Sequence, residues 1–343
     1  NVIVRSGATL TIEPGVTVNF NADKSLQIDG GLIAKGTGAS PITFTAPTTD
    51  KWAYILFNDS STDAAYNSST GDYASGSIME YCTVEYAGGT SVSDNGAIRL
   101  NGAHPFINYC PIRNNSASGI YAYNISSALK ITNNTISGNT ASSSSYYSYC
   151  YGGGIYVYGG TVTLTNNTIS GNTASSSYSS YSSYYSQGGG ISNDGTMTLT
   201  NNTISNNTAE DAAAVYYASG DGKNFQYNTI TGNESTGSGY AAVYVNAYPL
   251  INYNYIYDNT ATYELWFNKS QGSANLDAKN NWWGSSDETA ILGKIYDGID
   301  DSTRALVDYY PYSTAIRTDT GATTGTTTPT PTPTPSPSPS PTP

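Results

Sequence analysis

Apolar residues alternate with Thr, Ser, Asn or Tyr along most of the chain, as in LKITNNTISGNTA from Leu129, TVTLTNNTISGNTA from Thr161 and TMTLTNNTISNNTA from Thr196. A period of two predicts strands, since a helix would need apolar residues three and four apart. The near-identity of the three stretches points further, because self-similarity at a fixed register is the mark of a solenoid. Taking the second Asn of each NN as anchor gives Asn134, Asn167 and Asn202, and the column continues through Asn228, Asn254 and Asn281. Backwards it runs through Cys110 in NYCPI and Cys82 in EYCTV, with successive spacings of 28, 24, 33, 35, 26, 26 and 27 residues from Cys82 onwards.

Each coil also carries a strand ahead of that column, with Ile98, Ile120, Ile155, Ile191, Val215, Val243 and Leu265 at matching places beside polar or Tyr neighbours. A short third strand follows the column, through Ile136, Ile169, Ile204, Ile230 and Ile256. Each strand is then expected to stack on its counterpart in the next coil, giving parallel sheets around a closed apolar interior. GATLTIEPGVTVNF and SLQIDGGLIAKGTGASPITFTAP add about two coils. The resulting body of about ten coils is roughly 48 Å long at about 4.8 Å per strand. It occupies residues 1–316 and carries Tyr/Ser-rich insertions at 141–152 and 174–188 that leave the same bend of successive coils. Residues 317–343 form a Thr/Ser/Pro-rich tail or linker, whose alternating Pro removes sheet donors and favours polyproline II.

Charge narrows the partners. With 13 Lys+Arg against 25 Asp+Glu the net charge is -12, which disfavours nucleic acid and anionic lipid, both of which need a basic patch. It also disfavours anionic polysaccharide, which has to be met by cations. No apolar run is long enough to span a bilayer, so no membrane insertion is expected. The opening NVIVRSGATL reads as strand and turn rather than as a signal peptide, so in a secreted protein the signal would already be removed. No helix or loop precedes Val2 to cover the first coil, which suggests that something else covers it.

Within a solenoid, Asn at an inner bend can donate to a carbonyl of the neighbouring coil and accept an amide of its own, so the Asn column reads as a structural ladder. Cys82 and Cys110 hold the same column in adjacent coils, at a Cα separation compatible with a disulfide; stacked thiols are the alternative, because in-register parallel strands strain a bridge. Cys150 lies in the first insertion and is left over, as a free thiol or an interchain link.

The phrases GATLTIEPGVTVNF, GGLIAKGTGASPITFTA, the NNTI coils and the closing NNWWGSSDE, IYDGIDD and VDYYPY resemble secreted right-handed parallel β-helix repeat proteins of the pectate-lyase-like superfamily, in particular non-catalytic cell-surface members. The resemblance covers nearly all of residues 1–316 and implies an all-β, right-handed parallel β-helix, on which lyases, hydrolases, adhesins and spacers all occur. Its enzymes cluster Asp with Arg, Lys or His on one outward face, often with calcium. Here the single His104 precedes Pro105 and reads as a turn residue, while Arg99 and Arg113 lie at coil spacing from no acid pair. Glu210, Asp211 and Asp221 are the best carboxylate set for glycoside chemistry, but neighbours on a strand point to opposite faces. Asp297, Asp300 and Asp301 offer oxygens to calcium without the spacing of a dedicated loop, and read rather as a solvated acidic turn. No catalytic residue, metal or other cofactor is therefore assigned.

Tyr146, Tyr147, Tyr149, Tyr151, Tyr178, Tyr181, Tyr184 and Tyr185 give the insertions the Tyr/Ser composition of a contact surface. N-glycan acceptor sequons stand at Asn58, Asn67, Asn114, Asn124, Asn133, Asn166, Asn201, Asn206, Asn233 and Asn268, and the tail offers O-glycan sites. The expectation is an extracellular or cell-surface structural or adhesive protein, a filament or surface-layer subunit. It would be joined head to tail through open solenoid ends and the Pro-rich tail, with surface glycans as further partners. The alternative is a carbohydrate-active or carbohydrate-binding β-helix with the tail as linker.

Overall fold

The computed structural model describes residues 1–47, 51–89, 96–143, 150–176, 186–221, 223–237 and 240–316. The alternating pattern folds as expected, into a right-handed parallel β-helix. Its first sheet stacks strands such as Ile55–Phe57, Ile98–Asn101, Val215–Tyr217 and Ala241–Val245, and its second stacks Gly31–Lys35, Ile78–Glu80, Phe106–Asn108 and Leu250–Asn252. Ile120–Thr132 and Ile155–Thr165 run unbroken from the first into the second, so together they form one 18-stranded sheet. A nine-stranded third sheet runs from Thr17–Asn19 to Tyr255–Tyr257, and a four-stranded fourth from Thr140–Ser143 to Glu234–Ser235. Register is kept by side-chain type: Ile136, Ile169, Ile204, Ile230 and Ile256 stack directly and are all fully buried.

Ten coils are complete. An eleventh is begun by Ile295–Tyr296 and Val307–Asp308, which pair with Tyr263–Phe267 and Leu276–Asp277. The two ends differ. At the first coil Val2, Leu10, Val16 and Val18 line an open cavity of about 380 Å³. The last coils hold a five-residue helix, Glu288–Leu292, whose N-terminus is capped by the Asp287 side chain. That helix, and the antiparallel hairpin of Ala65–Tyr66 with Tyr73–Ser75 that projects from coil 3, break the period of two and were not anticipated from the pattern.

The Asn column is a ladder, with one revision to its wiring. The amide accepted by each Oδ1 belongs to the Asn of the preceding coil rather than to its own: Asn134 N donates to Asn167 Oδ1 at 2.9 Å, and Asn134 Nδ2 donates to the same oxygen at 3.0 Å. Asn134 Nδ2 also reaches back to the carbonyl of Ile107. The pattern repeats through Asn167, Asn202, Asn228 and Asn254 to Asn281. Cys82 and Cys110 continue the column as separate buried thiols, with Cys82 N directed at Cys110 Sγ at 3.4 Å; no bridge joins them. The thiol pair satisfies the same backbone groups that Asn satisfies elsewhere.

A second ladder, five residues after the first, escaped the sequence reading. Asn115, Asn139, Asn172, Asn207 and Asn233 repeat the same wiring at the corner between the third and fourth sheets, ending at Asn259, whose Nδ2 donates to Glu264 Oε2. Each ladder Asn is preceded by a residue in the left-handed region, such as Asn133, Asn166 and Tyr227 at the first corner and Gly138, Asn206 and Gly232 at the second. Asn and Gly tolerate this conformation at least cost, which accounts for the recurrent NN and GN pairs.

Candidate functional site

Asn233 belongs to the buried second ladder, where it donates to Ile204 O, Thr231 O and Asn259 Oδ1, so its sequon is not an acceptor on the folded surface. Asn67, Asn114, Asn124, Asn166, Asn201 and Asn206 are exposed, while Asn58, Asn133 and Asn268 are half-buried. Asn58 donates to Asp29 Oδ1 at 2.7 Å, and Asn268 accepts from Arg304. Asn133, Asn166 and Asn201 stack as an outer ladder, Asn166 Nδ2 donating to Asn133 Oδ1 and Asn201 Nδ2 to Asn166 Oδ1. At one strand spacing of about 4.8 Å, bulky glycans on neighbouring rungs would collide.

Several of the ionisable side chains singled out in the sequence make structural contacts. His104 is buried; its Nδ1 lies 3.1 Å from Asp63 Oδ2 and its Nε2 accepts from Ser127 N at 3.0 Å. Because Nε2 accepts, the ring proton sits on Nδ1 and is given to Asp63, which ties the base of the hairpin excursion to coil 5. Asp221 accepts from Tyr248 N. Glu210 is half-exposed beside Asp211, which is buried between coils with no partner for Oδ1; burial pushes its carboxyl up to about 6. Glu264 pairs with Lys294 at 3.2 Å, and burial raises its pKa as well. In the acidic turn, Asp297 accepts from Ile299 N and Val307 N, Asp300 from Asp297 N, and Asp301 from Thr303. Among the described residues, no group of three or more His, Cys, Asp or Glu side chains is placed to hold a metal ion.

What the fold does gather outwards is aromatic. On the first sheet the register aligns Tyr121, Tyr156, Ser192, Tyr216, Tyr244, Trp266 and Tyr296 in one file, each half-buried except the buried Ser192. Their inward neighbours are the predicted core residues, for example Ile120, Ile155 and Val243. Rings touch in pairs along the file: centroids are 5.0 Å apart for the stacked Tyr121 and Tyr156, 5.0 Å for the stacked Tyr216 and Tyr244, and 3.9 Å for the tilted Trp266 and Tyr296. Such offset pairs add roughly 0.5 to 1.5 kcal/mol each beyond burial. Tyr123, Tyr158 and Tyr263 broaden the face, and the Arg99 guanidinium, buried against the Tyr54 ring at 3.7 Å, closes its early end. Burial raises the phenol pKa of Tyr121, Tyr156 and Tyr244.

The insertions border this face. Their stems pair in register, Thr140–Ser143 with Thr173–Ser176 and Cys150–Tyr151 with Ser186–Gln187, so both leave the same bend of successive coils. Tyr151 stacks on Tyr156 at 5.3 Å, which places one of the insertion tyrosines against the file. Tyr146, Tyr147, Tyr149, Tyr178, Tyr181, Tyr184 and Tyr185 lie outside the described residues. Cys150 is buried with Ala141, Ala174, Ala209 and Ala213. In the sequence the file shows as the Tyr or Trp that follows or precedes each inward aliphatic in GIYAY, GGIYVY, AAVYY, AAVYV and ELWF, the Tyr neighbours noted there.

A family model described as right handed beta helix region matches residues 2–188 and 143–292. Comparison with curated proteins and with solved structures gives no match.

Proposed function

The chain belongs to the right-handed β-helix family, and from that premise we propose that it is an extracellular structural or adhesive element, not a catalyst, whose copies associate with one another. The observation that carries this reading is the aromatic file from Tyr121 to Tyr296, a half-exposed face interrupted only at Ser192 and of a kind that marks contact surfaces on proteins. The wiring of His104, Asp221, Glu264 and Asp297 supports the non-catalytic side of the reading, since each spends its hydrogen-bonding capacity on a turn or a coil contact. Head-to-tail association is heterologous and does not close on itself, so it would build open filaments.

Light scattering across a concentration series, with electron microscopy of the same samples, tests this reading. Growth of elongated particles with concentration is expected; a monomer at every concentration would remove it. A second reading rests on the same rings, which suit the apolar faces of sugars: a passive carbohydrate-binding surface. It predicts retention on neutral polysaccharide without release of reducing or unsaturated ends.

A further inference from the structure

The aromatic face has a chemistry that selects its occupant. Among the described residues, the hydroxyls of Tyr121, Tyr156, Tyr244 and Tyr296 have no hydrogen-bond partner in the protein, so the file presents apolar ring edges tipped by free phenolic donors. A fitting partner is extended, uncharged and rich in carbonyl acceptors. The chain itself contains such a segment: Pro329 to Pro343 alternates Pro with Thr or Ser and carries no charged side chain. In polyproline II no carbonyl is bonded internally, and every second residue lacks an N–H. Such a segment accepts many hydrogen bonds while offering few, and it loses little entropy on docking.

We propose that the Pro329–Pro343 segment of one copy docks along the Tyr121-to-Tyr296 file of a second copy; this deepens, and rests on, the reading of the protein as self-associating. Lengths agree. Six coil steps separate Tyr121 from Tyr296, about 29 Å at about 4.8 Å per step, and about nine residues of polyproline II cover that distance. The segment has 15 residues and a reach of about 46 Å. One turn of polyproline II, about 9.3 Å, also spans nearly two coil steps, about 9.6 Å, so every third residue meets every second rung.

The point of departure favours a second copy over the same one. Ser313 N is bonded to Asn281 O at the corner between the second and third sheets, in the last coils. A segment docking on its own file would have to run back over the coils it has just left, whereas the file of a molecule stacked beyond that end would lie ahead of it. Residues 317–328 provide the leash. An acidic body of net charge -12 repels acidic partners but not this neutral segment.

The test uses the full chain with Thr334→Cys carrying a nitroxide spin label; Cys82, Cys110 and Cys150 are buried, which makes the label selective. At high concentration the label is expected to be immobilised, and to become mobile on dilution. Replacing Tyr121, Tyr156, Tyr244 and Tyr296 together by Phe keeps the rings and removes the donors, and should raise the concentration for half-immobilisation about tenfold. Tyr244→Ser copies the small residue already present at Ser192 and should have the same direction of effect. A mobile label in particles that still grow overturns the docking site but leaves self-association standing; a mobile label on a permanent monomer overturns both. Immobilisation independent of dilution makes the segment a strap on its own body and overturns docking between copies. A mobile label, with neutral glucan retained by the file and released by Tyr244→Ser, assigns the face to carbohydrate instead.

Discussion

Asn167 gives both its backbone N–H and its Nδ2 to one atom, Asn202 Oδ1, at 2.9 and 3.0 Å, while Asn202 Nδ2 returns a bond to Leu164 O in the coil before. Every interior rung therefore satisfies backbone groups of its neighbour as well as its own side chain. Asn167→Leu removes the bond to the carbonyl of Ile131 and leaves unpaired the amide of Asn134, while Asn134 Nδ2 keeps only its bond to Ile107 O, all buried. Its cost is about 1 to 3 kcal/mol, read as a shift of the urea midpoint at constant slope. Asn172→Leu in the second ladder should cost as much, since the contacts are the same in kind.

The two ladders show where sequence suffices and where it fails. The first was legible because NTI or NYI recurs from Asn134 to Asn254 in five successive coils, at the end of an alternating strand. The second hides in SGNT and SNNT, where the residue before the ladder Asn changes among Asn114, Gly138, Asn206 and Asp258. What those residues share is a positive φ, a backbone property with several sequence solutions. Thiols at Cys82 and Cys110 in place of Asn are the same lesson: geometry fixes the position, and more than one side chain meets it. The aromatic file was half legible. Alternation shows that Tyr156 and Tyr216 point outwards and the coil spacing puts them in one file, but the ring contacts along it and the burial of Ser192 within it are visible only in the structure.

Glycan occupancy separates the sequons by burial. Expression in a host that glycosylates Asn, followed by peptide mass spectrometry, should find Asn233 unoccupied and Asn206, one coil earlier and exposed, accessible. Along Asn133, Asn166 and Asn201, adjacent rungs should not be occupied in the same molecule. Occupancy of Asn233 in folded protein would mean that the second ladder opens.

Gly152, Gly153 and Gly154 form a close passage into the first sheet. A Cβ on Gly153 would lie 2.5 Å from Gly189 O and 2.6 Å from Thr173 O, both backbone atoms that cannot rotate away. Gly153→Ala should destabilise by about 1 to 3 kcal/mol, the usual range for forcing an extra carbon into a packed interior. Circular dichroism melts would check this, and an unchanged midpoint would mean that the coils separate there at little cost. In the next coil but one Ala213 stands at the corresponding place, so the restriction belongs to the GGG coils and not to the solenoid at large.

Asp211 gives the fold a pH dependence of definite sign. Its carboxyl is buried, Oδ1 has no partner, and burial raises its pKa from 3.8 to about 6, with Glu210 adding a smaller push in the same direction. Between those two values the folded state holds the proton and the unfolded state does not, so this group makes stability fall as pH rises from about 4 to about 6 and leaves it level above. A shift of that size corresponds to about 3 kcal/mol at most. Asp211→Asn keeps the shape and removes the charge. The variant should therefore be more stable than the parent above pH 6, by an amount that shrinks on acidification and disappears near pH 4. Because the raised acids Glu264 and Asp297 and the lowered Asp29 and Asp301 are common to both proteins, the difference between their unfolding curves reports Asp211 together with its coupling to the raised Glu210. Parallel curves across pH 4 to 8 would show that the buried carboxylate finds its missing partner in water.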